Sequence, residues 1–354
     1  MINMLDFITE KVSSWENLKH EKRPVFIYGM GDGALKIMYV FNKYRIPVAG
    51  FFASDEFVRG HEFCGHLVHK LSELEEKVKD FVIVLAFAAG YQSLYDKIKK
   101  IAQKHTVIAP DVPVAGDGIF DYEYCLENAE DIQKVYDMLE DEESRKVFAD
   151  VINFKISGKI EYLDRCTSEK SSVYKDIIKP AENETYIDLG AYNGDTVSEF
   201  IEYAEKYEKI IALEPDNKNY KKLVRNTENL SNIETHNAVA WSSDTYIPFD
   251  SRNGRQSSVK RAGTLSQARS VDSILNGSKA GIIKMDIEGA EYQAIKGAEN
   301  TIRNHSPKLM ISLYHRNEDM FKIPLLIHSI NPDYKFFVRH QLYIPAWETN
   351  LYCI

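Results

Sequence analysis

The chain is predicted to be α/β, with a doubly wound parallel sheet preceded by a smaller α/β unit. Three observations lead there. Short apolar runs alternate with stretches of helical period along most of the 354 residues. The run over 81–87 is apolar almost without interruption, as a strand covered on both faces must be. Two further runs, over 25–28 and 185–189, lead directly into glycine-rich turns followed by helical patterning.

The first turn lies in Pro24-Val-Phe-Ile-Tyr-Gly-Met-Gly-Asp-Gly-Ala34, and a helix over 35–41 follows. Strands over 48–52 and 81–87, a helix over 91–103 and a strand over 106–109 complete this unit. Residues 128–139 and 144–154 carry apolar side chains at helical spacing. The acidic run Glu140-Asp-Glu-Glu143 between them reads as a solvated helix–helix turn. The second turn lies in Thr185-Tyr-Ile-Asp-Leu-Gly-Ala-Tyr-Asn-Gly-Asp-Thr196. After it come a helix over 197–207, a strand over 210–213 ending on Glu214-Pro215, and a helix over 218–226. Strands over 233–238 and 282–286, a helix over about 291–304 and a strand over 308–313 follow, and strand patterning returns at 334–338 and 349–354. The chain thus divides into a helical lead (1–20), a Rossmann-like nucleotide-binding-type domain (21–117), a helical lead-in (118–179) and a larger α/β domain (180–354).

Hydrophobic residues make up 44% of the chain and charged residues 27%, a mix that can bury a sizeable core. The formal charge of −9 argues against a protein that wraps nucleic acid. The amino-terminal stretch carries Asp6, Glu10 and Glu16 and lacks the apolar run of a signal peptide. No run of about 18 apolar residues offers an integral membrane segment. Cys64, Cys125, Cys166 and Cys353 lie far apart, so neither a disulfide framework nor a zinc knuckle is expected. The expectation is a reduced, cytoplasmic protein with no nucleic-acid partner. Residues 251–270 stand apart, with five basic side chains and no acid. They read as a long loop, either a lid that meets an anionic substrate or a mobile solvated connection.

A glycine turn after a strand lets a ligand approach the backbone beside the positive end of the next helix. The second turn reads D-x-G-x-x-x-G from Asp188 through Gly190 to Gly194, not the dinucleotide pattern G-x-G-x-x-G. It resembles the first motif of class I S-adenosylmethionine-dependent methyltransferases. Glu214, closing the next strand, suits both hydroxyls of a ribose and would repel a 2′-phosphate. Ile282-Ile-Lys-Met-Asp-Ile-Glu-Gly-Ala-Glu-Tyr-Gln-Ala-Ile-Lys-Gly-Ala-Glu299 is similar to the K-x-D-x-E-G-A-E…L-x-G-A segment of the FkbM-type methyltransferases, with Ile295 where that family often shows Leu. Leu309-Met-Ile-Ser-Leu-Tyr-His315, Asp319-Met-Phe-Lys-Ile-Pro324 and the ending from Arg339-His340 through Glu348-Thr-Asn-Leu-Tyr352 also resemble it. The likeness spans about 185–354. It implies S-adenosylmethionine as cofactor and O-methylation of a hydroxyl on a sugar, glycan precursor or secondary metabolite.

On these grounds the candidate cofactor-binding residues are Asp188, Gly190, Ala191, Gly194, Thr196, Glu214, Asn237 and Ala238. The candidate catalytic residues are His315, Asp286 and Glu288. His315 is the expected base, since an unperturbed imidazole titrates near pH ~6.5, and Asp286 would orient it or hold the acceptor hydroxyl. Asp286 and Glu288 could instead cap the following helix, Glu291 could answer its dipole, and Lys284 could pair with Asp286. Asp286, Glu288 and His315 could also hold a divalent ion, but no spacing demands one and no metal is expected. In the first turn, Gly29, Gly31 and Gly33, with Asp55 after the next strand, fit a second nucleotide site. That unit resembles the amino-terminal Rossmann-like domains attached to some sugar-modifying enzymes of surface polysaccharide synthesis. A turn kept for packing is the competing reading. The runner-up function is a nucleotide-sugar-modifying or NAD-dependent enzyme working through that unit. The expected partner is a small-molecule or glycan substrate, and a homo-oligomer stays open.

Overall fold

The computed structural model describes residues 4–204, 206–250, 258–259 and 263–354. The first apolar runs form a sheet of order β3-β4-β2-β1-β5-β6. Its strands are β1 (Val25–Tyr28), β2 (Gly50–Ala53), β3 (Glu62–Phe63), β4 (His66–Lys70), β5 (Val82–Leu85) and β6 (Thr106–Ile108). All pairings are parallel except the β3–β4 hairpin. Strands β1, β2 and β5 are buried along their whole length, which explains their lack of alternation.

The second sheet takes β7 (Glu184–Leu189), β8 (Tyr207–Leu213) and β9 (Ile233–His236) on one side. A small sheet interrupts it, built from β10 (Val239–Ala240), β11 (Thr245–Asp250), β12 (Ser258–Val259) and β13 (Thr264–Arg269). The large sheet then resumes with β14 (Ile282–Met285), β15 (Lys308–Ser312), β16 (Phe336–His340) and β17 (Thr349–Cys353). Its order is β16-β17-β15-β14-β7-β8-β9, and β17 alone runs against the other strands. The chain therefore winds outward from β7 in one direction and from β14 in the other. The crevice for a ligand lies beyond their carboxyl ends, where the strand order reverses.

Several local expectations need correction. The β3–β4 hairpin and the helix Leu71–Lys77 are absent from the sequence reading because few of their side chains are buried. The helix expected over 197–207 runs Asp195–Tyr203, and Tyr207 opens β8 in pairing with Glu184. The single helix expected over 291–304 is two, Glu291–Lys296 and Glu299–His305. They part at Gly297, where a Cβ would lie 2.0 Å from the Trp241 carbonyl oxygen. The basic stretch is not a loop throughout, since Thr264–Arg269 is a strand paired with β11. Arg252, Arg255, Lys260 and Arg261 lie outside the described residues.

Between the sheets runs the helix Glu142–Ser157, the longest of those described. Asp141 caps its start by accepting from the Ser144 N–H, and Gly158 closes it in the left-handed region at φ 68°. Phe148, Val151 and Phe154 of this helix join Phe26 and Leu85 of the first sheet and Ile283, Leu309 and Leu351 of the second in one hydrophobic core. Beside this shared core, Ile27, Ile37, Phe41 and Val84 form a cluster within the first unit, and Tyr186, Phe200, Ile210 and Leu223 one within the second. The same helix carries Lys155, whose Nζ lies 2.6 Å from the Asp111 carboxylate, with both side chains about 5% exposed or less. Removing one member of such a pair strands the other charge. Lys155→Met should therefore lower the unfolding free energy by about 3–5 kcal/mol in denaturant titrations. Adding Asp111→Leu should restore most of the loss, and a Lys155→Met variant of undiminished stability would contradict the assignment.

Candidate active site

Asp188, within β7, is fully buried and sits opposite Lys284 of β14 in the parallel ladder. The Lys284 Nζ lies 3.0 Å from the Asp188 carboxylate and donates to the Gly190 carbonyl at 3.0 Å. Lys284 is thus the partner of Asp188, not of Asp286. A ladder neighbour is closer than the next residue on the same face of one strand. Burial opposes the charge on Lys284, but Asp188 and then Asp286 outweigh it and hold its pKa above the usual lysine range. Asp188 also accepts from the Thr196 hydroxyl, which ties the loop to the start of the helix Asp195–Tyr203. At Gly190, φ is 83° and a Cβ would lie 1.9 Å from the Asp286 carbonyl oxygen, so only glycine fits.

A cavity of about 490 Å³ opens above this loop, across the ends of β8, β7, β14 and β15. Of the residues expected at a cofactor, Gly190, Thr196, Glu214 and Ala238 line it. Asp188, Ala191 and Gly194 sit behind the surface. Asp188 is committed to Lys284, Ala191 is packed in the core, and a Cβ on Gly194 would meet Leu223 and Thr227. Asn237 turns the other way and donates to the Glu214 and Pro215 carbonyls at 2.9 and 3.1 Å. Glu214, just past β8, accepts the Tyr192 and Asp216 N–H groups at 3.0 and 2.8 Å. Burial raises its pKa to about 7 even against those two donors.

On the other side of the loop the structure brings His315, Asp286 and Glu288 together. The His315 Nε2 lies 3.3 Å from Asp286 and 3.6 Å from Glu288, and its Nδ1 lies 2.9 Å from Glu291. The Ala115 N–H donates to the His315 carbonyl at 2.8 Å, and the Tyr314 hydroxyl donates to Asp286 at 3.0 Å. Burial disfavours the imidazolium, but Glu291, Asp286 and Glu288 overcome it and raise the His315 pKa to about 10. The three carboxylates around His315, the expected base, thus favour its imidazolium form. One donor atom from each of Asp286, Glu291 and His315 lies within 4.8 Å of the other two, a spacing that could hold a cation. For Asp286, burial is outweighed by Lys284, His315 and Tyr314, so its carboxyl titrates below the usual range. Glu288 lacks the lysine, and burial pushes it up to about 7 although His315 opposes the shift.

Sequence reasoning missed Lys170, Glu199, Tyr343, Trp347 and Glu348, which also line the cavity. None stands in a glycine motif or at the end of a parallel strand. Tyr343 is placed by the first sheet: Ala89 and Ile344 exchange both backbone hydrogen bonds, at 2.7 and 3.0 Å, and a Cβ on Gly90 would meet the Tyr343 ring at 2.5 Å. In the first glycine turn two of the three glycines meet close neighbours, while a Cβ on Gly31 would meet nothing within 4 Å. A Cβ on Gly33 would lie 2.4 Å from the Ala86 carbonyl oxygen, and one on Gly29 would lie 2.9 Å from Phe87. Gly31 caps the next helix, and Asp55 accepts from the Ser72 hydroxyl at 2.7 Å.

Residues 188–342 match the family model described as the methyltransferase FkbM domain. No curated protein matches the chain. The solved structure of methyltransferase FkbM from Methylobacillus flagellatus KT is 23% identical, covers 99% of this chain and 96% of its own, and superposes with a TM-score of 0.72. The rRNA methylase of Streptococcus thermophilus matches 52% of this chain and 95% of its own at 13% identity and a TM-score of 0.34. Aeropyrum pernix fibrillarin, solved with natively bound S-adenosyl-L-methionine, matches 49% and 67% at 10% identity and 0.32. The first of these extends the two-sheet fold over the whole chain, and the domain match falls on the sheet that carries the cavity. Over residues 188–342 the chain carries a domain that matches the methyltransferase FkbM model, and its fold is that of the solved FkbM methyltransferase.

Proposed function

We propose that the protein transfers a methyl group from S-adenosylmethionine to a hydroxyl of a sugar, glycan precursor or secondary metabolite. The observation that supports this most directly is one cavity with two differently built ends. Glu214 presents a buried strand-end carboxylate at one, and Asp286, Glu288 and His315 cluster at the other. The donor set fits the cofactor. Glu214 can accept from both ribose hydroxyls, the Gly190 backbone leaves room for close approach, and Ala238 offers an apolar border for the adenine. When bound, the cofactor supplies a methyl group already activated on a sulfonium.

The residues then need to align the acceptor oxygen, exclude water and remove one proton. Glu288 takes the proton in this reading. A carboxylate with a pKa of about 7 is ionised in useful amount at neutral pH and is still basic enough to accept. Asp286, held ionised by Lys284 and His315, accepts a hydrogen bond from the acceptor and keeps it oriented. His315 acts as a fixed positive charge that lets three carboxylates share one small volume.

Calorimetry with S-adenosylhomocysteine tests the cofactor half. Glu214→Gln should weaken binding by about 1.5–3 kcal/mol, the range for charge-assisted hydrogen bonds. Because the raised pKa of Glu214 leaves it protonated below about pH 7, wild-type affinity should climb between pH 6 and 8, and the variant should lose that climb. Equal affinities for the two proteins would remove the ribose assignment. Steady-state kinetics test the base. Glu288→Gln should lower kcat by about 10²–10⁴-fold with cofactor affinity unchanged. In the wild type kcat should rise with pH through about 7, as Glu288 ionises. His315→Gln should move that midpoint upward, since the cation that favours the Glu288 carboxylate is gone. A His315→Gln variant that loses both turnover and the pH dependence, with Glu288→Gln keeping both, would restore the imidazole as the titrating base.

A further inference from the structure

Two aromatic side chains of the cavity have no part in the reading above. Tyr343 and Trp347 line it together with Asp286, Glu288 and Tyr314, and both are half-buried. With Tyr314 they form a row. The Trp347 ring centroid lies 6.5 Å from that of Tyr314 and 5.8 Å from that of Tyr343, and the ring planes differ by 22° and 28°. Centroids at such separations belong to offset rings, which leave part of each face uncovered. The Tyr314 hydroxyl, which donates to Asp286, ties one end of the row to the carboxylate cluster.

The row is held from both sheets. Its backbone is the loop between β16 and β17, closed by the Gln341 N–H on the Glu348 carbonyl at 3.1 Å and by the Thr349 hydroxyl on the Ala346 carbonyl at 2.8 Å. The ring of His340, fully buried, reaches the Tyr343 carbonyl at 3.2 Å. From the first unit, Ala89 exchanges hydrogen bonds with Ile344, and Gly90 lies against the Tyr343 ring. Gly90 is outside the left-handed region, so backbone freedom does not call for glycine there. The ring does, because a Cβ would stand 2.5 Å from its Cε2 and 2.8 Å from its Cδ2. A methyl group absent from one unit thus sets where an aromatic wall of the other stands.

The faces of these rings carry partial negative charge, and the Asp286 and Glu288 carboxylates line the same end. The two lysines that line the cavity among the described residues, Lys170 and Lys284, are paired with Glu199 and Asp188. An anionic group is repelled here, whereas C–H groups, positive at their surface, are attracted. We propose that Trp347 and Tyr343 are the surface on which the acceptor docks through a neutral C–H face, and that Gly90 is a positioning residue that tunes this docking through Tyr343. This rests on the proposed methyl transfer to a hydroxyl. It adds which side of the acceptor is read, and it places that recognition at the seam of the two units, apart from the groups that handle the proton.

Methyl transfer by the full chain to two kinds of probe tests this: a panel of methyl pyranosides, which present a C–H face, and glycerol, which has hydroxyls without one. The best pyranoside should exceed glycerol in kcat/KM by about tenfold or more. Trp347→Ala and Tyr343→Ala should each raise the pyranoside KM about tenfold and lower kcat far less, with S-adenosylhomocysteine affinity within about twofold of wild type. Trp347→Phe, which keeps an aromatic face, should retain most of the pyranoside affinity. Gly90→Ala should raise the same KM about threefold or more, yet add nothing in the Tyr343→Ala background, where its methyl group has room. Unchanged melting temperatures would show that the variants fold. The docking surface falls if glycerol matches every pyranoside, or if no pyranoside is methylated by protein that binds S-adenosylhomocysteine. It falls equally if Trp347→Ala and Tyr343→Ala keep the wild-type KM. The role of Gly90 falls if its effect adds to that of Tyr343→Ala, as a general loss of stability would. Wild-type protein that does not bind S-adenosylhomocysteine would instead overturn the cofactor reading, and the docking surface with it.

Discussion

The ion pair between Lys284 and Asp188 is the contact on which the rest of the site is built. It joins β7 to β14 at the point where the sheet reverses its winding, with Asp188 fully buried. One ammonium group neutralises the carboxylate and holds the Gly190 carbonyl, so the turn leaves β7 on a fixed path. The same carboxylate anchors Thr196 and with it the first turn of the next helix. Two charges out of water repay their desolvation only when their remaining hydrogen-bonding capacity is also used, and here the loop uses it. The cavity floor is in this sense the outer surface of a buried salt bridge.

A second electrostatic device separates the tasks of chemically equivalent groups. Asp286 and Glu288 both face His315, but only Asp286 also feels Lys284 and receives the Tyr314 hydroxyl. One carboxyl is therefore held ionised while the other is poised near neutrality. Environments that push two carboxyls apart in this way distinguish a group that holds from a group that exchanges protons. Glu291, drawn entirely into the interior, lies 2.9 Å from the His315 Nδ1 as an ion-pair partner and accepts the Ile287 N–H.

The strands that carry the cavity were legible because they are buried on both faces and read as unbroken apolar runs. The glycine spacing around Gly190 and the acids at the strand ends were legible for the same reason, as punctuation on a strong pattern. The small sheet was hidden. In Thr264–Arg269 only Ala268 is fully buried, so no strand period stands out. Charge state was hidden too. Nothing in Tyr314-His315 reveals that Glu291, Asp286 and Glu288 converge on one ring. Lys170 and Glu348 could not be joined from sequence, because they meet only when the lead-in packs over the second sheet. The first glycine turn illustrates the opposite limit. Its spacing alone does not tell packing from binding, for Gly33 is pressed against the Ala86 carbonyl while Gly31 has open space.

The first sheet has a consequence beyond packing. It contributes no group to the proton-handling cluster, yet its edges hold two walls of the cavity. Ala89 grips the backbone at Ile344, beside Tyr343 and Trp347, and the segment after β6 brings Val114 to the rim and ties Ala115 to His315. The amino-terminal unit therefore walls one side of a chamber whose floor belongs to the other sheet, and a change in its loops can reshape that chamber from a distance.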